Sequence, residues 1–160
     1  MNFLRSTPGE EPLVVEAMFR ATPERVFRAW TEPEEVKAWF GSRKNQVTKA
    51  EIDLRVGGIW RFHLRSESDD DVFFEGEYFA IVPAQKLVFS WTHVVQSEGG
   101  ARTESVASQV TVTFEPVGSA TRVHLLHESL SSDGARLNVS RGWEASFTKL
   151  DALFSGEVKG

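Results

Sequence analysis

Hydrophobic and polar positions alternate with a period of two through the middle of this chain. Between 59 and 65, Trp60, Phe62 and Leu64 alternate with Arg61, His63 and Arg65. Further on, Phe74, Gly76 and Tyr78 share one face while Glu75 and Glu77 mark the other as wet. Leu87, Phe89 and Trp91 oppose Lys86, Ser90 and Thr92. Val110, Val112 and Phe114 oppose Gln109, Thr111, Thr113 and Glu115, and Val123, Leu125 and His127 oppose Arg122, His124 and Glu128. Successive side chains of a strand point to opposite faces, so the pattern predicts an antiparallel sheet with one covered and one solvated face. The connections at 66–71, 82–85, 97–102 and 116–120 are short, as hairpins require.

Other stretches follow a different rhythm. Residues 12–20 carry strand-like apolar content. After them, Thr22 fits a helix N-cap and Pro23 the first helical position, with Val26, Phe27 and Trp30 on one face. Pro33, Val36, Trp39 and Phe40 repeat the arrangement, so two short helices are predicted, ending at Gly41. Near the C-terminus, Trp143, Phe147, Leu150 and Phe154 are spaced four, three and four apart, which is one helical stripe. In "DLRVGGIWRF" (53–62), Gly57 and Gly58 fall between a strand through Ile52 and one beginning near Ile59. They read as a tight turn or bulge that needs positive φ and excludes a Cβ, aiming Trp60 and Phe62 inward. Residues 1–11 and 156–160 read as flexible tails around a single domain spanning 12–155.

A long amphipathic helix must bury its stripe, and a one-sided sheet must cover its inner face. The economical solution lays the helix across the sheet, an α+β architecture. The segments "ATPERVFRAWTEPEEVKAWF", "DLRVGGIWRF", "GEYFAIVPAQKLVFSW", "VTVTFEP…TRVHLLHE" and "GWEASFTKL" occur in that order. Together they resemble the helix-grip superfamily of START lipid-transfer domains, Bet v allergens and polyketide cyclases. The resemblance is closest to the branch named for the activator of heat shock protein 90 ATPase. It covers roughly residues 12–155 and implies a seven-stranded antiparallel sheet curved around the C-terminal helix, with two short helices between strands 1 and 2 and a pocket within. Many relatives carry a histidine just before "GW"; here "ARLNVSR" has none.

Composition narrows the chemistry. The chain has 160 residues, no cysteine and a net charge of −5. Disulfides, thiolate metal sites and cysteine nucleophiles are excluded, and the acidic balance argues against a nucleic-acid footprint. No apolar run approaches a membrane span and no secretory leader is visible, so a cytoplasmic location is expected. Five tryptophans and twelve phenylalanines stand against one tyrosine. Trp60, Phe62, Phe74, Tyr78, Phe89, Trp91, Trp143 and Phe147 all face inward by alternation or helical stripe. Each alone reads as core, but eight large rings facing one another are hard to pack without voids. They are therefore candidate ligand-binding residues for a small hydrophobic or aromatic molecule.

His127 joins them as the only titrating side chain on the inner face of the five clear strands. It reads either as a neutral core histidine, as a ligand-anchoring donor, or as a general base, with a pKa lowered by desolvation. His124 and His127 fall on opposite faces, and "SDDD" (68–71) lacks the spacing of a calcium loop, so no metal and no cofactor is expected. Serine-nucleophile and phosphate-cradle motifs are absent. The expected function is binding of a small hydrophobic ligand between sheet and helix. The alternatives are a cyclase- or dehydratase-like enzyme using His127 with Tyr78, or, by the resemblance, a module acting on a chaperone ATPase in the stress response. An exposed patch of Trp39 and Phe40 would favour that last reading, and an edge strand at 12–20 would allow a homodimer.

Overall fold

The computed structural model describes residues 2–6, 12–41, 46–66, 68–130 and 133–158. Its elements are β1 (Asn2–Ser6), β2 (Leu13–Phe19), α1 (Pro23–Thr31), α2 (Pro33–Trp39), β3 (Val47–Ile52), β4 (Ile59–Leu64), β5 (Asp71–Val82), β6 (Lys86–Gln96), β7 (Arg102–Glu104), β8 (Ser108–Val117), β9 (Ala120–Glu128) and α3 (Asp133–Val158). The strands form one antiparallel sheet in the order β1-β2-β9-β8-β6-β5-β4-β3, with β7 added to the end of β6. This is the helix-grip fold. Seven of the strands, β2 to β6 with β8 and β9, match the expected set, and β1 and β7 are additions to it.

Two expectations at the chain ends are corrected. Asn2–Ser6 are not a tail but a strand paired with β2, and α3 continues through residue 156 to Val158. Residues 1, 7–11 and 159–160 of the expected tails lie outside the described residues. Because β1 covers β2 on one side and β9 on the other, residues 12–20 are not an edge strand. The open edges among the described strands are β1, β3 and β7, so pairing between copies through 12–20 has no free backbone to use.

The two short helices carry the chain from β2 to β3, at the far edge of the sheet. Thr22 Oγ1 accepts from the Arg25 amide at 3.2 Å, and Pro23 stands at the first turn, as the sequence predicts. Glu32 ends α1 and starts α2 at one residue, its amide donating to the Arg28 carbonyl. The helices are held together by Trp39 Nε1 donating to the Ala29 carbonyl at 2.8 Å and by Arg25 and Arg28 gripping the Glu35 carboxylate. The final helix fits its stripe against the sheet: Phe147 and Phe154 meet Phe19 of β2 edge-on at 5.5 and 5.9 Å, and Trp143 lies 5.1 Å from Trp91 of β6. No helix among the described residues is long and apolar enough to cross a membrane.

Gly57 and Gly58 divide the work of the β3–β4 turn. Gly57 takes a φ of +85°, and a Cβ there would meet nothing. Gly58 has ordinary φ, but its Cβ would sit 2.0 Å from the Asp53 carbonyl oxygen. The turn is tied to β5 by the Gly57 amide donating to the Tyr78 carbonyl and the Tyr78 amide donating to the Gly58 carbonyl. Trp60 and Phe62 emerge from it pointing into the core.

Candidate functional site

Between sheet and helices the aromatic rings pack mainly on one another. Trp30 stacks on Trp143 at 5.8 Å, Phe74 lies 4.4 Å from Trp91, and Trp60 touches both Phe62 and Phe89. Phe40, at the end of α2, is the hub: its ring meets Phe62, Phe74, Trp91 and Trp143 at 5.0–6.0 Å. Two spaces remain. The inner one, about 20 Å³, is bounded by α1–α2 rings and by Trp60, Phe62, Tyr78, Phe89, Trp91 and Trp143. That is room for about one water. The outer one, about 80 Å³, lies between α3 and the sheet, lined by Phe40, Gly41, Phe74, Trp91, Val139, Gly142, Trp143 and Ser146.

All nine predicted site residues are directed inward, but they do different things. Trp91 and Trp143 border both spaces, Phe74 only the outer one, and Trp60, Phe62, Tyr78 and Phe89 only the inner one. Phe147 and His127 border neither. Trp60 owes its position to Gly76: a Cβ at residue 76 would sit 2.6 Å from Trp60 Nε1 and 1.9 Å from the Ser90 carbonyl oxygen. The indole therefore lies directly over the β5–β6 backbone. Burial pushes the Tyr78 phenol well above its ordinary pKa, so it stays neutral and is available only as a hydroxyl.

His127 is fully buried, with 0% of its surface exposed, and both ring nitrogens are engaged. Trp143 Nε1 donates to its Nδ1 at 3.1 Å; indole has only a donor, so Nδ1 must accept. The proton therefore sits on Nε2 and is donated to Ser108 Oγ at 2.7 Å, and that hydroxyl in turn donates to the Trp91 carbonyl at 3.2 Å. Every donor and acceptor in this chain is used by the neutral imidazole. Burial lowers its pKa to about 3, and protonating Nδ1 would set two donors against each other. In this arrangement the ring pins α3 to β6, β8 and β9, and it has no nitrogen free to take a proton from a ligand.

The rim of the outer cavity is polar. The Gly41 amide donates to Ser146 Oγ at 2.9 Å, and Lys149 Nζ donates to the Gly41 carbonyl at 3.2 Å. This rim is not legible in the sequence, because Ser146 and Lys149 fall beside the apolar stripe of α3 and Gly41 there marks only a helix stop. Nor are Trp30, Trp39 and Phe40 legible as cavity walls: helical periodicity identifies a buried face, not the rings it will meet. Trp39 and Phe40 are 1% and 4% exposed, so the exposed patch that would have favoured a chaperone-binding surface is not formed. His93, half-buried on the same face as Trp91 and packed on Phe74, extends the alternation one step beyond Trp91.

Comparison with known proteins places these features in a family. Residues 20–155 match the family model described as activator of Hsp90 ATPase homolog 1-like protein. No curated protein matches. Among solved structures, the AHSA1 protein of Silicibacter pomeroyi is 25% identical, with 91% of this chain and 98% of that one covered at a TM-score of 0.74. A protein of Rhizobium leguminosarum is 27% identical over 88% of this chain and 91% of its own, at a TM-score of 0.71. A Rhodobacter sphaeroides protein at 22% identity shares the fold, with a TM-score of 0.75 over 95% and 97% of the two chains.

Proposed function

The chain belongs to the activator of Hsp90 ATPase homolog 1-like family, and from that membership and its interior we propose that it is a binding module for a small hydrophobic or aromatic molecule. The carrying observation is the outer cavity of about 80 Å³, walled by Phe74, Trp91 and Trp143. An apolar cavity of ~150 Å³ in another protein stays dry and binds benzene. The space here is about half that, so a monocyclic ring fits with small shifts of Phe40 and Val139, and larger bodies require the rim at Gly41 to part. Affinity comes from apolar area removed from water, with ring edges and faces selecting flat ligands.

Catalysis is the weaker reading. The two cavities offer no titratable lining group except the neutral Tyr78 phenol, and His127 lies behind Trp91 and Trp143 with its nitrogens occupied. The test is a titration with benzene, indole and naphthalene, followed by tryptophan fluorescence and by calorimetry. Trp91 and Trp143 report occupancy directly. Saturable binding that disappears in Gly142→Leu, where the new side chain fills the cavity, is the expected result. No saturable response to any probe would sink the proposal.

A further inference from the structure

The rim of the outer cavity carries a cation with no counter-charge among the described residues. Lys149 is one turn beyond Ser146 on the same side of α3, and its Nζ reaches the Gly41 carbonyl at the edge of the space lined by Phe74, Trp91 and Trp143. Among the described residues no carboxylate stands within ion-pair distance of it, although most of the other cations with described side chains, including Lys37, Lys49, Arg55, Arg61 and Arg102, have one. Burial alone lowers its pKa, with no carboxylate drawing it back up. A partly buried ammonium with one neutral carbonyl partner has unused donors, since it carries three N–H groups. Beside it, the Ser146 hydroxyl accepts from the Gly41 amide and retains its own proton to donate.

We infer that the ligand of the outer cavity is an amphipathic monoanion, an apolar or aromatic body bearing a carboxylate, with the carboxylate held by Lys149 Nζ and Ser146 Oγ. This rests on the binding reading given above. The apolar body lies against Phe74, Trp91 and Trp143, and the anion replaces or joins the Gly41 carbonyl at the ammonium. Hydrogen bonds to a charged partner are about twice as strong as neutral ones, and the apolar surroundings screen the pair less than water does. A neutral ligand of the same shape gains the ring contacts only.

The experiment compares benzoate with benzamide by calorimetry at pH 7 on the wild-type protein, Lys149→Met and Lys149→Arg. Wild type should bind benzoate about tenfold or more tightly than the amide, the effect expected of one hydrogen bond to a charged group. That ratio should fall to near one in Lys149→Met, which keeps the aliphatic stem, and persist in Lys149→Arg. Without any variant, benzoate should shift the Gly41 amide resonance of the wild-type protein more than benzamide does. Equal binding of the two probes overturns the anion site and leaves the cavity reading standing. A preference that survives Lys149→Met assigns the anion to another group and overturns the inference as well. If neither probe binds, the cavity reading itself fails and takes the anion site with it.

Discussion

His127→Gln should remove a pH dependence from the stability of this protein. In the folded chain the imidazole is held neutral, with a pKa of about 3 caused by burial, against about 6.5 for an exposed histidine. Below pH 6.5 the unfolded chain takes up a proton that the folded chain refuses, so stability falls as pH drops, down to the folded value near 3. At pH 5 the unfolded state gains about 2 kcal/mol from this one group, and at pH 7.5 almost nothing. Urea unfolding at the two pH values gives a wild-type loss and a variant loss, and the difference between them isolates residue 127. The glutamine costs a further amount at both pH values by disturbing the bonds to Trp143 and Ser108, about 1–3 kcal/mol, but that cancels in the difference. His93, whose pKa burial also lowers, contributes in the same pH window to both proteins and cancels too. Glu51 is held down chiefly by the Lys49 hydrogen bond. For Glu75, burial raises the pKa but bonds from Arg61 and Arg102 bring it lower, so both carboxylates act only below about pH 4.5. Wild type should lose about 2 kcal/mol more than the variant. Equal losses within 0.5 kcal/mol, or an imidazole resonance titrating near 6.5 in the folded protein, would refute the neutral, doubly bonded ring.

Three further outcomes follow from the same geometry. Gly142 lies inside α3 with nothing within 4 Å of where a Cβ would stand, so Gly142→Ala should raise stability by about 0.5–1 kcal/mol in urea unfolding while shrinking the outer cavity. Gly57→Ala should cost about 1–2 kcal/mol for the left-handed backbone, and Gly58→Ala more, roughly 3 kcal/mol, because its Cβ meets the Asp53 carbonyl; the reverse ranking would contradict the turn geometry. Trp143→Phe keeps a ring but leaves His127 Nδ1 without its donor, a loss of about 1–3 kcal/mol, and its 15N spectrum should show altered His127 nitrogens.

The sheet was legible because a one-sided strand writes its two environments into alternate residues. Its pairing was not: that β6 is sandwiched between β5 and β8, and that β1 covers β2, depends on contacts distant in sequence. The same divide runs through the site. Alternation put His127 on the inner face, but only the register, which sets Ser108 beside Trp91 and Val110 beside His127, brings hydroxyl, imidazole and carbonyl into one chain. Phe40 shows the limit most sharply. It reads as the last apolar residue of a short helix, yet because that helix packs on both α3 and β3 its ring becomes the centre of the aromatic cluster.

The outer cavity exists because α3 presents two adjacent faces of unequal size. Trp143, Phe147, Leu150 and Phe154 form the large face, all buried, and they fill the groove of the sheet. Gly142 and Ser146, four residues apart, form the small face, and space is left where they pass Phe74 and Trp91. The two ends of that space are closed differently. On the inner side, the His127–Trp143 bond is dry and shielded, so opening there would strand a buried acceptor. On the outer side, Gly41, Ser146 and Lys149 are held by bonds that water or an anion can replace at small net cost. Entry is therefore expected at the Gly41 rim, with Trp143 as the fixed wall. A side chain at residue 142 would gain helix propensity and packing, so the glycine costs stability. A pair of measurements separates the roles: Gly142→Leu should raise the melting temperature and abolish probe binding together. A variant that is stabilised yet binds unchanged would place the ligand elsewhere.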